Sequence, residues 1–114
     1  HPGVDLDAPE GTPVLAAGGG VVTRAEWVGH YGRLVVIEHG AGISTLYGHL
    51  ARFEVIAGQE VRRGQVIGTV GRSGRVTGAH LHYEVRQGGS PVNPYIFLKK
   101  STRPTTVAKS DLPF

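Results

Sequence analysis

Histidine side chains in this 114-residue chain are spaced in a way that suits metal chemistry. His80-Leu81-His82 separates two imidazoles by one apolar residue. Because side chains alternate along a β-strand, a strand here would present both imidazoles on one face and direct Leu81 into the opposite, packed face. Two rings on one face can share a metal ion.

The first five residues supply a second candidate pair. In His1-Pro2-Gly3-Val4-Asp5, a Pro-Gly turn can aim the imidazole and the carboxylate at one point. Together with one histidine of His-Leu-His they make three nitrogen and oxygen ligands. That is the composition of a catalytic zinc site, which keeps a fourth position for water. The chain has no cysteine, so thiolate ligands and disulfides are excluded.

The other three histidines lie near predicted strand ends. His49 follows Leu46-Tyr47-Gly48, where we expect a strand to end and a loop to begin, a frequent location for functional side chains. His30 sits in a glycine-flanked turn and His39 precedes Gly40. For His30 and His39 the sequence predicts hydrogen-bonding roles in loops.

The elements that must position these residues are predicted to be short strands. Eighteen glycines and seven prolines, with no long apolar 3.6-residue period, favour an all-β fold joined by tight turns. Residues 57–68 indicate a turn unit in which the valines face inward. We place the domain at residues 1–100, and residues 101–114 form a basic Ser/Thr/Pro-rich tail. The predicted strands are 13–17, 20–28, 33–39, 43–49, 65–70 and 80–86.

The distribution of charge argues against nucleic-acid binding. Residues 1–98 carry eight arginines and eight acidic residues, so the formal charge of +3 arises entirely from residues 99–114. A short basic tail is typical of a solvated chain end, and no nucleic-acid-binding motif accompanies it. No segment approaches the roughly 20 apolar residues that a membrane-spanning helix needs.

Five motifs, in order, carry a family resemblance. The chain resembles the lysostaphin-type zinc endopeptidases, also called LytM domains, whose fold is a two-layer antiparallel β-sheet assembly with a substrate groove on one sheet. The matching motifs are His1-x-x-x-Asp5, Ala8-Pro9-x-Gly11-Thr12-Pro13-Val14, Tyr47-Gly48-His49-Leu50, Gly64-Gln65-x-Ile67-Gly68 and His80-Leu81-His82-Tyr83-Glu84-Val85.

The resemblance implies a role for each matched residue. His1, Asp5 and His82 would bind zinc, while His80 and His49 would act on the substrate and the attacking water. The implied substrates are peptidoglycan peptides, and the implied location is the cell envelope, either periplasmic or extracellular. Glycyl-glycine bridges and D-alanyl to meso-diaminopimelate cross-links both remain open as the bond that is cut.

The chain departs from the usual family sequence in two respects. Four substitutions concern the shape of the groove rather than the ligands: Arg33, Ala41, Val76 and Ala79. The family also has strands and groove residues upstream of the first ligand, whereas this chain begins at that ligand. We therefore expect it to belong to a longer protein, or to pair with an upstream segment.

Three other functions compete with hydrolysis. A catalytically inactive LytM-type regulator would activate another cell-wall hydrolase, but such domains typically lack ligands that are present here. A biotinyl or lipoyl carrier would need a lysine at a turn tip, and every lysine lies at residue 99 or beyond. A sugar-transport phosphocarrier would explain two histidines but would leave His1 and Asp5 without a role.

Overall fold

The structure of the protein is a computed structural model that describes residues 3–74, 76 and 78–93. The described chain folds into nine strands and one 3-10 turn at Gly29–Tyr31. The strands are β1 Val4–Asp7, β2 Pro13–Leu15, β3 Gly20–Val28, β4 Gly32–Gly40, β5 Ile43–Phe53, β6 Glu60–Val61, β7 Val66–Val70, β8 His80–Gln87 and β9 Ser90–Val92.

All strand pairings among the described residues are antiparallel. The main path runs β1-β8-β5-β4-β3-β6, and β9 also pairs with β8. The long strand β5 belongs to two parts of the sheet, because residues 43–48 pair with β8 while residues 50–53 pair with β7. Strand β2 then pairs with β7. This branch forms a second layer, and the predicted all-β, two-layer fold is confirmed.

The core lies between the branch and the main sheet. Val14 and Ile67, from β2 and β7, share one buried cluster with Tyr47 and Tyr83, from β5 and β8. The backbone N–H of Ala17, just after β2, donates to the Tyr47 hydroxyl at 3.0 Å. Burying these apolar faces holds the two layers together.

The predicted strand bounds agree with the structure where the β-branched runs are long. The bounds of β3 were predicted without error, and those of β7 and β8 differ by one residue at one end. Strand β4 is one residue longer than predicted at each end, and β2 ends two residues earlier than predicted. Strands β1, β6 and β9 were missed because they contain only two to four residues. Strand β5 continues to Phe53, so the prediction that a strand ends at His49 was wrong.

The turn unit at residues 57–68 is only partly as predicted. Gly58 and Gly64 have φ values of 93° and 85°, which suit glycine. Val61 is buried, but Val66 is 41% exposed, so not every valine faces inward. The predicted domain end near Lys100 lies outside the described residues. No described helix is long and apolar enough to cross a bilayer.

His39 forms hydrogen bonds as predicted, but it lies in strand β4 rather than in a loop. One ring nitrogen, Nδ1, lies 2.7 Å from the carbonyl oxygen of Gly19, and Nε2 lies 2.7 Å from Oγ1 of Thr45. The Thr45 hydroxyl is in turn 2.7 Å from the Tyr47 hydroxyl. His39 therefore connects the end of β4 to the buried hydrogen bonds beneath β5.

Candidate functional site

The candidate site is built on the face of β8 opposite the core. Leu81 is fully buried in the core, so the alternation of the strand turns His80 and His82 to the other face, as predicted. Strand β1 lies beside β8 with Asp5 directly opposite His82. Oδ1 of Asp5 lies 2.8 Å from Nδ1 of His82 and 3.5 Å from Nε2 of His80.

His49 reaches this cluster from the neighbouring strand through a backbone irregularity. The pairing of β5 with β4 shifts between Tyr47 and Leu50, and His49 adopts a φ of 63°. Its ring centroid then lies 4.9 Å from that of His80 and 5.9 Å from that of His82. A bulge of this kind re-aims a side chain, and here it brings His49 to the histidines of β8.

Gly3 positions β1 by having no side chain. The predicted Pro-Gly turn includes Pro2, which lies outside the described residues. A Cβ on Gly3 would collide with the carbonyl oxygen of Tyr83 and would lie 2.6 Å from Cγ of Glu84. The glycine therefore allows the chain that leads to Asp5 to pass close against β8.

Backbone carbonyls determine which nitrogen of two rings is available. Nδ1 of His49 is 2.7 Å from the carbonyl oxygen of Ser73, and Nδ1 of His80 is 3.1 Å from that of Gly78. A carbonyl only accepts, so each ring carries its hydrogen on Nδ1. In the neutral form, Nε2 of each ring then has a lone pair. Burial lowers the pKa of His49 despite its bond to Ser73, which favours that neutral form.

Glu84 is a member of the site for which sequence reasoning proposed no role. It is fully buried, and its carboxylate accepts four hydrogen bonds. Nε2 of His82 donates to Oε2 at 2.8 Å, and the Tyr31 hydroxyl donates to the same oxygen at 2.7 Å. Nε and Nη2 of Arg86 donate to Oε1 at 3.1 and 3.0 Å. The sequence signal was present, because Glu84 continues the two-residue alternation of His80 and His82.

The charges of this network support one another. Burial by itself would lower the pKa of His82, but the hydrogen bonds to Glu84 and Asp5 outweigh it and the pKa is raised. Burial would likewise raise the pKa of Glu84, yet the bonds from His82, Tyr31 and Arg86 keep it low. Burial and the nearby carboxylate raise the pKa of Tyr31, so its hydroxyl remains a donor.

Four of the five predicted site residues come together in the structure: Asp5, His49, His80 and His82. The fifth, His1, lies outside the described residues. Within residues 3–74, 76 and 78–93, no group of three or more His, Asp or Glu side chains is arranged to hold a metal ion. Those residues do supply two groups that can bind a metal and that face each other, the Asp5 carboxylate and Nδ1 of His82. Both are ligand types that zinc accepts.

A sequence profile described as peptidase family M23 matches residues 1–94. This chain belongs to peptidase family M23. The lysostaphin-type resemblance is confirmed by solved structures of this fold. The catalytic domain of lysostaphin from Staphylococcus simulans is 32% identical and superimposes with a TM-score of 0.82, covering 88% of this chain and 80% of that one.

Curated relatives of this M23 domain include enzymes and an activator. The chain is 53% identical to the DD-carboxypeptidase/endopeptidase Mpg of Neisseria meningitidis and 43% identical to the murein hydrolase activator EnvC of Escherichia coli. The matches cover 82% and 84% of this chain but only 22% and 23% of those proteins. This M23 domain thus corresponds to less than a quarter of each relative.

A zinc-containing peptidase from Vibrio cholerae has a similar structure. It is 42% identical to this M23 domain, with a TM-score of 0.78. The match covers 81% of this chain and 28% of that one.

Proposed function

We propose that this M23 domain is a zinc-dependent endopeptidase that hydrolyses peptide bonds of bacterial peptidoglycan in the cell envelope. The observation that carries the proposal is one cluster of four side chains. Asp5 and His82 present two facing metal donors, and the rings of His49 and His80 lie beside them. Acid-base groups next to an open metal site are the arrangement that metal-assisted hydrolysis needs.

Zinc would be held by His1, Asp5 and His82. The donor atoms of the two described ligands are Oδ1 of Asp5 and Nδ1 of His82, which are separated by 2.8 Å. Three nitrogen and oxygen ligands leave a coordination position for substrate or water. Zinc held by these three residues would act as a Lewis acid on the scissile carbonyl and on the attacking water. The zinc-containing peptidase of similar fold supports this choice of metal.

His80 would accept a proton from the attacking water at Nε2. The carbonyl of Gly78 holds the hydrogen of this ring on Nδ1, which leaves Nε2 as the basic atom. That atom lies 3.5 Å from Oδ1 of Asp5, so the base stands beside a proposed metal ligand. A histidine suits this transfer because its ordinary pKa, about 6.5, lies close to neutral pH.

His49 would act from the other side of the cluster. Its Nδ1 is tied to the carbonyl of Ser73, so Nε2 is the nitrogen that can face substrate. In the neutral ring this nitrogen can accept a hydrogen bond from the attacking water, and once protonated it can donate to the developing oxyanion. One of the two histidines, His49 or His80, then returns a proton to the leaving amine.

The test compares single substitutions for two properties, hydrolysis of purified peptidoglycan and bound zinc. We expect His49→Ala and His80→Ala to reduce hydrolysis at least about 100-fold while zinc is retained, since acid-base catalysis contributes about that much. Asp5→Ala should lose zinc and hydrolysis together. His30→Ala is the matched control, because His30 lies in an exposed turn and is not part of the cluster. Wild-type turnover in both histidine variants would refute the assignment.

The similarity to EnvC favours one alternative, a regulator that activates another cell-wall hydrolase. Such a protein would stimulate a partner hydrolase without cutting peptidoglycan itself. Asp5, His49, His80 and His82 are all retained here, which supports hydrolysis over activation. The two functions separate in an assay of the purified protein with and without zinc, because an activator alone would release no fragments under either condition.

Of the two candidate bonds, we favour the D-alanyl to meso-diaminopimelate cross-link. This choice is supported by the name of the Neisseria relative, a DD-carboxypeptidase/endopeptidase that is 53% identical. Mass analysis of fragments released from defined cross-linked muropeptides identifies the bond directly. Cleavage of glycyl-glycine bridges in place of the cross-link would overturn this choice while leaving the zinc site intact.

A further inference from the structure

We propose that Glu84 is a positioning residue that fixes the ring hydrogen of His82 on Nε2 and so directs Nδ1, together with Asp5, toward zinc. This inference rests on the proposed function, since it concerns the same metal site. Glu84 lies on the far side of the His82 ring from Asp5, 2.8 Å from Nε2. Its position allows it to orient the ligand without touching substrate.

The first step of the case is the choice of nitrogen. An imidazole can bind a metal only through a nitrogen that has a lone pair, and in a neutral ring the other nitrogen carries the hydrogen. An ionised carboxylate accepts hydrogen bonds and cannot donate them. Asp5 lies 2.8 Å from Nδ1 of His82 and Glu84 lies 2.8 Å from Nε2, so zinc bound between Asp5 and Nδ1 would replace the hydrogen on Nδ1 while Glu84 keeps the hydrogen on Nε2.

The second step is the rigidity of the carboxylate. Tyr31 donates to the same oxygen as His82, while Arg86 occupies the other oxygen with two donors. Nη2 of Arg86 also donates to the Tyr31 hydroxyl at 3.1 Å, which closes the network. A fully buried carboxylate with every oxygen satisfied has little freedom to turn. The orientation of Glu84 is therefore imposed by its neighbours on β8 and by the 3-10 turn that carries Tyr31.

The third step is that the surrounding backbone leaves room for this side chain. Gly3, two residues before the proposed ligand Asp5, would place a Cβ 2.6 Å from Cγ of Glu84 if it were any other residue. The strand that carries Asp5 can therefore approach β8 beside Glu84 only because residue 3 has no side chain. Carboxylate partners of metal-binding histidines fix ring orientation in this manner in other proteins.

The test is the zinc affinity of Glu84→Gln, measured by competition with a chromogenic chelator. If the NH2 group of the glutamine faced His82, the ring would need a lone pair on Nε2 to accept its hydrogen bond. If the NH2 group faced Arg86 instead, two hydrogen-bond donors would oppose each other. Either orientation weakens the arrangement, and we expect zinc to bind about 10- to 100-fold more weakly. Nitrogen NMR of the His82 ring should show a hydrogen on Nε2 in the zinc-loaded wild type and a different ring signal in the variant.

Three comparisons make the outcome decisive. Glu38→Gln, at an exposed glutamate of β4, should keep wild-type affinity. Asp5→Ala should lose zinc. If the wild type binds no zinc, the proposed function fails. If folded Glu84→Gln binds zinc with unchanged affinity, only the inference about Glu84 is overturned. Should Glu84→Gln not fold, Tyr31→Phe removes one donor to the carboxylate, and its affinity should fall by up to about tenfold. Wild-type affinity in Tyr31→Phe would then overturn the inference.

Discussion

His49 has the backbone conformation that L-residues avoid. Its φ of 63° lies in the left-handed region, which costs a non-glycine residue about 1–2 kcal/mol. Residues with such conformations cluster at functional sites, where the rest of the fold holds them. The left-handed conformation of His49 lies at the bulge that directs its ring toward His80. The same backbone irregularity therefore causes both the conformational cost and the placement of the ring.

Two substitutions at His49 separate the ring from the backbone. Both His49→Asn and His49→Ala should lose hydrolysis, because each removes the imidazole. Asparagine tolerates the left-handed region far better than alanine, so we expect His49→Asn to be about 1 kcal/mol more stable than His49→Ala in urea unfolding. The same pair at His30, whose φ is not positive, should differ by less than about 0.5 kcal/mol. Equal stability of the two His49 variants would contradict the backbone argument.

The two halves of the candidate site were not equally predictable from the sequence. The His80 and His82 pair follows from strand alternation, which is local. The contact of Glu84 with Tyr31 joins residues that are 53 apart in the chain, and no local pattern encodes it. The bulge at His49 was equally invisible, because an apolar and aromatic run continues on both sides of it. Local periodicity predicts which side chains of one strand share a face. Which residues from other elements contact them depends on long-range strand pairing.

At the scale of elements, the β4–β5 hairpin contains an unfavourable turn residue. Gly40 pairs with Ile43, so Ala41 and Gly42 form a two-residue loop in which both φ values are positive, 54° and 75°. Such loops favour Asn-Gly, because asparagine accepts the left-handed conformation and alanine does not. Ala41, one of the four substitutions noted in the sequence, thus lies in this turn, where its conformation weakens the hairpin.

Ala41→Asn should therefore stabilise the protein. Relief of the left-handed alanine is expected to raise the free energy of unfolding by about 1 kcal/mol, without a change in hydrolysis. Urea unfolding measures the gain. Ala57→Asn provides a matched control, because Ala57 also precedes a glycine and is exposed but has no positive φ. An equal gain at both positions would show that the effect does not come from the turn conformation.

Element prediction succeeded or failed according to strand length. Strand β3 contains nine residues and was predicted at both ends, since a long β-branched run bounded by glycines is informative. Strand β1 contains four residues, two of them aspartates, and its partner β8 begins 73 residues after β1 ends. Its pairing, which aligns Asp5 with His82, is set by tertiary packing rather than by its own composition.

At the scale of the whole molecule, His39 links the two layers. Through Thr45 it connects to the Tyr47 hydroxyl, which accepts from Ala17 of the second layer, and its other nitrogen meets the carbonyl of Gly19. Burial lowers the pKa of His39, and nearby Arg63 acts in the same direction, while the bond to Gly19 opposes them. The folded protein therefore favours the neutral ring at this junction.

This junction predicts a pH dependence of stability. In the unfolded chain the pKa of His39 is about 6.5, so as the pH falls the unfolded state binds the proton first. The contribution of His39 to the free energy of unfolding is fully present above about pH 6.5 and is lost as the pH falls through the lower folded pKa. Urea unfolding between pH 8 and pH 5 should show this loss in the wild type.

The control for this prediction is His39→Gln, which cannot gain the proton. His49, whose pKa is also lowered, acts in the same direction as His39, whereas the raised pKa of His82 acts in the opposite one. Subtracting the variant profile from that of the wild type isolates the contribution of His39. Parallel profiles for the two proteins would show that the ring at this junction does not govern the pH response.

The hydrogen bond between Asp5 and His82 spans 77 positions of the chain. Asp5 lies in the first described strand and His82 in the penultimate one, so a nascent chain that has not yet emerged past residue 81 contains Asp5 without its partner. Under the proposed function, a chain that ends before His82 would lack one of the three zinc ligands and would not hydrolyse peptidoglycan.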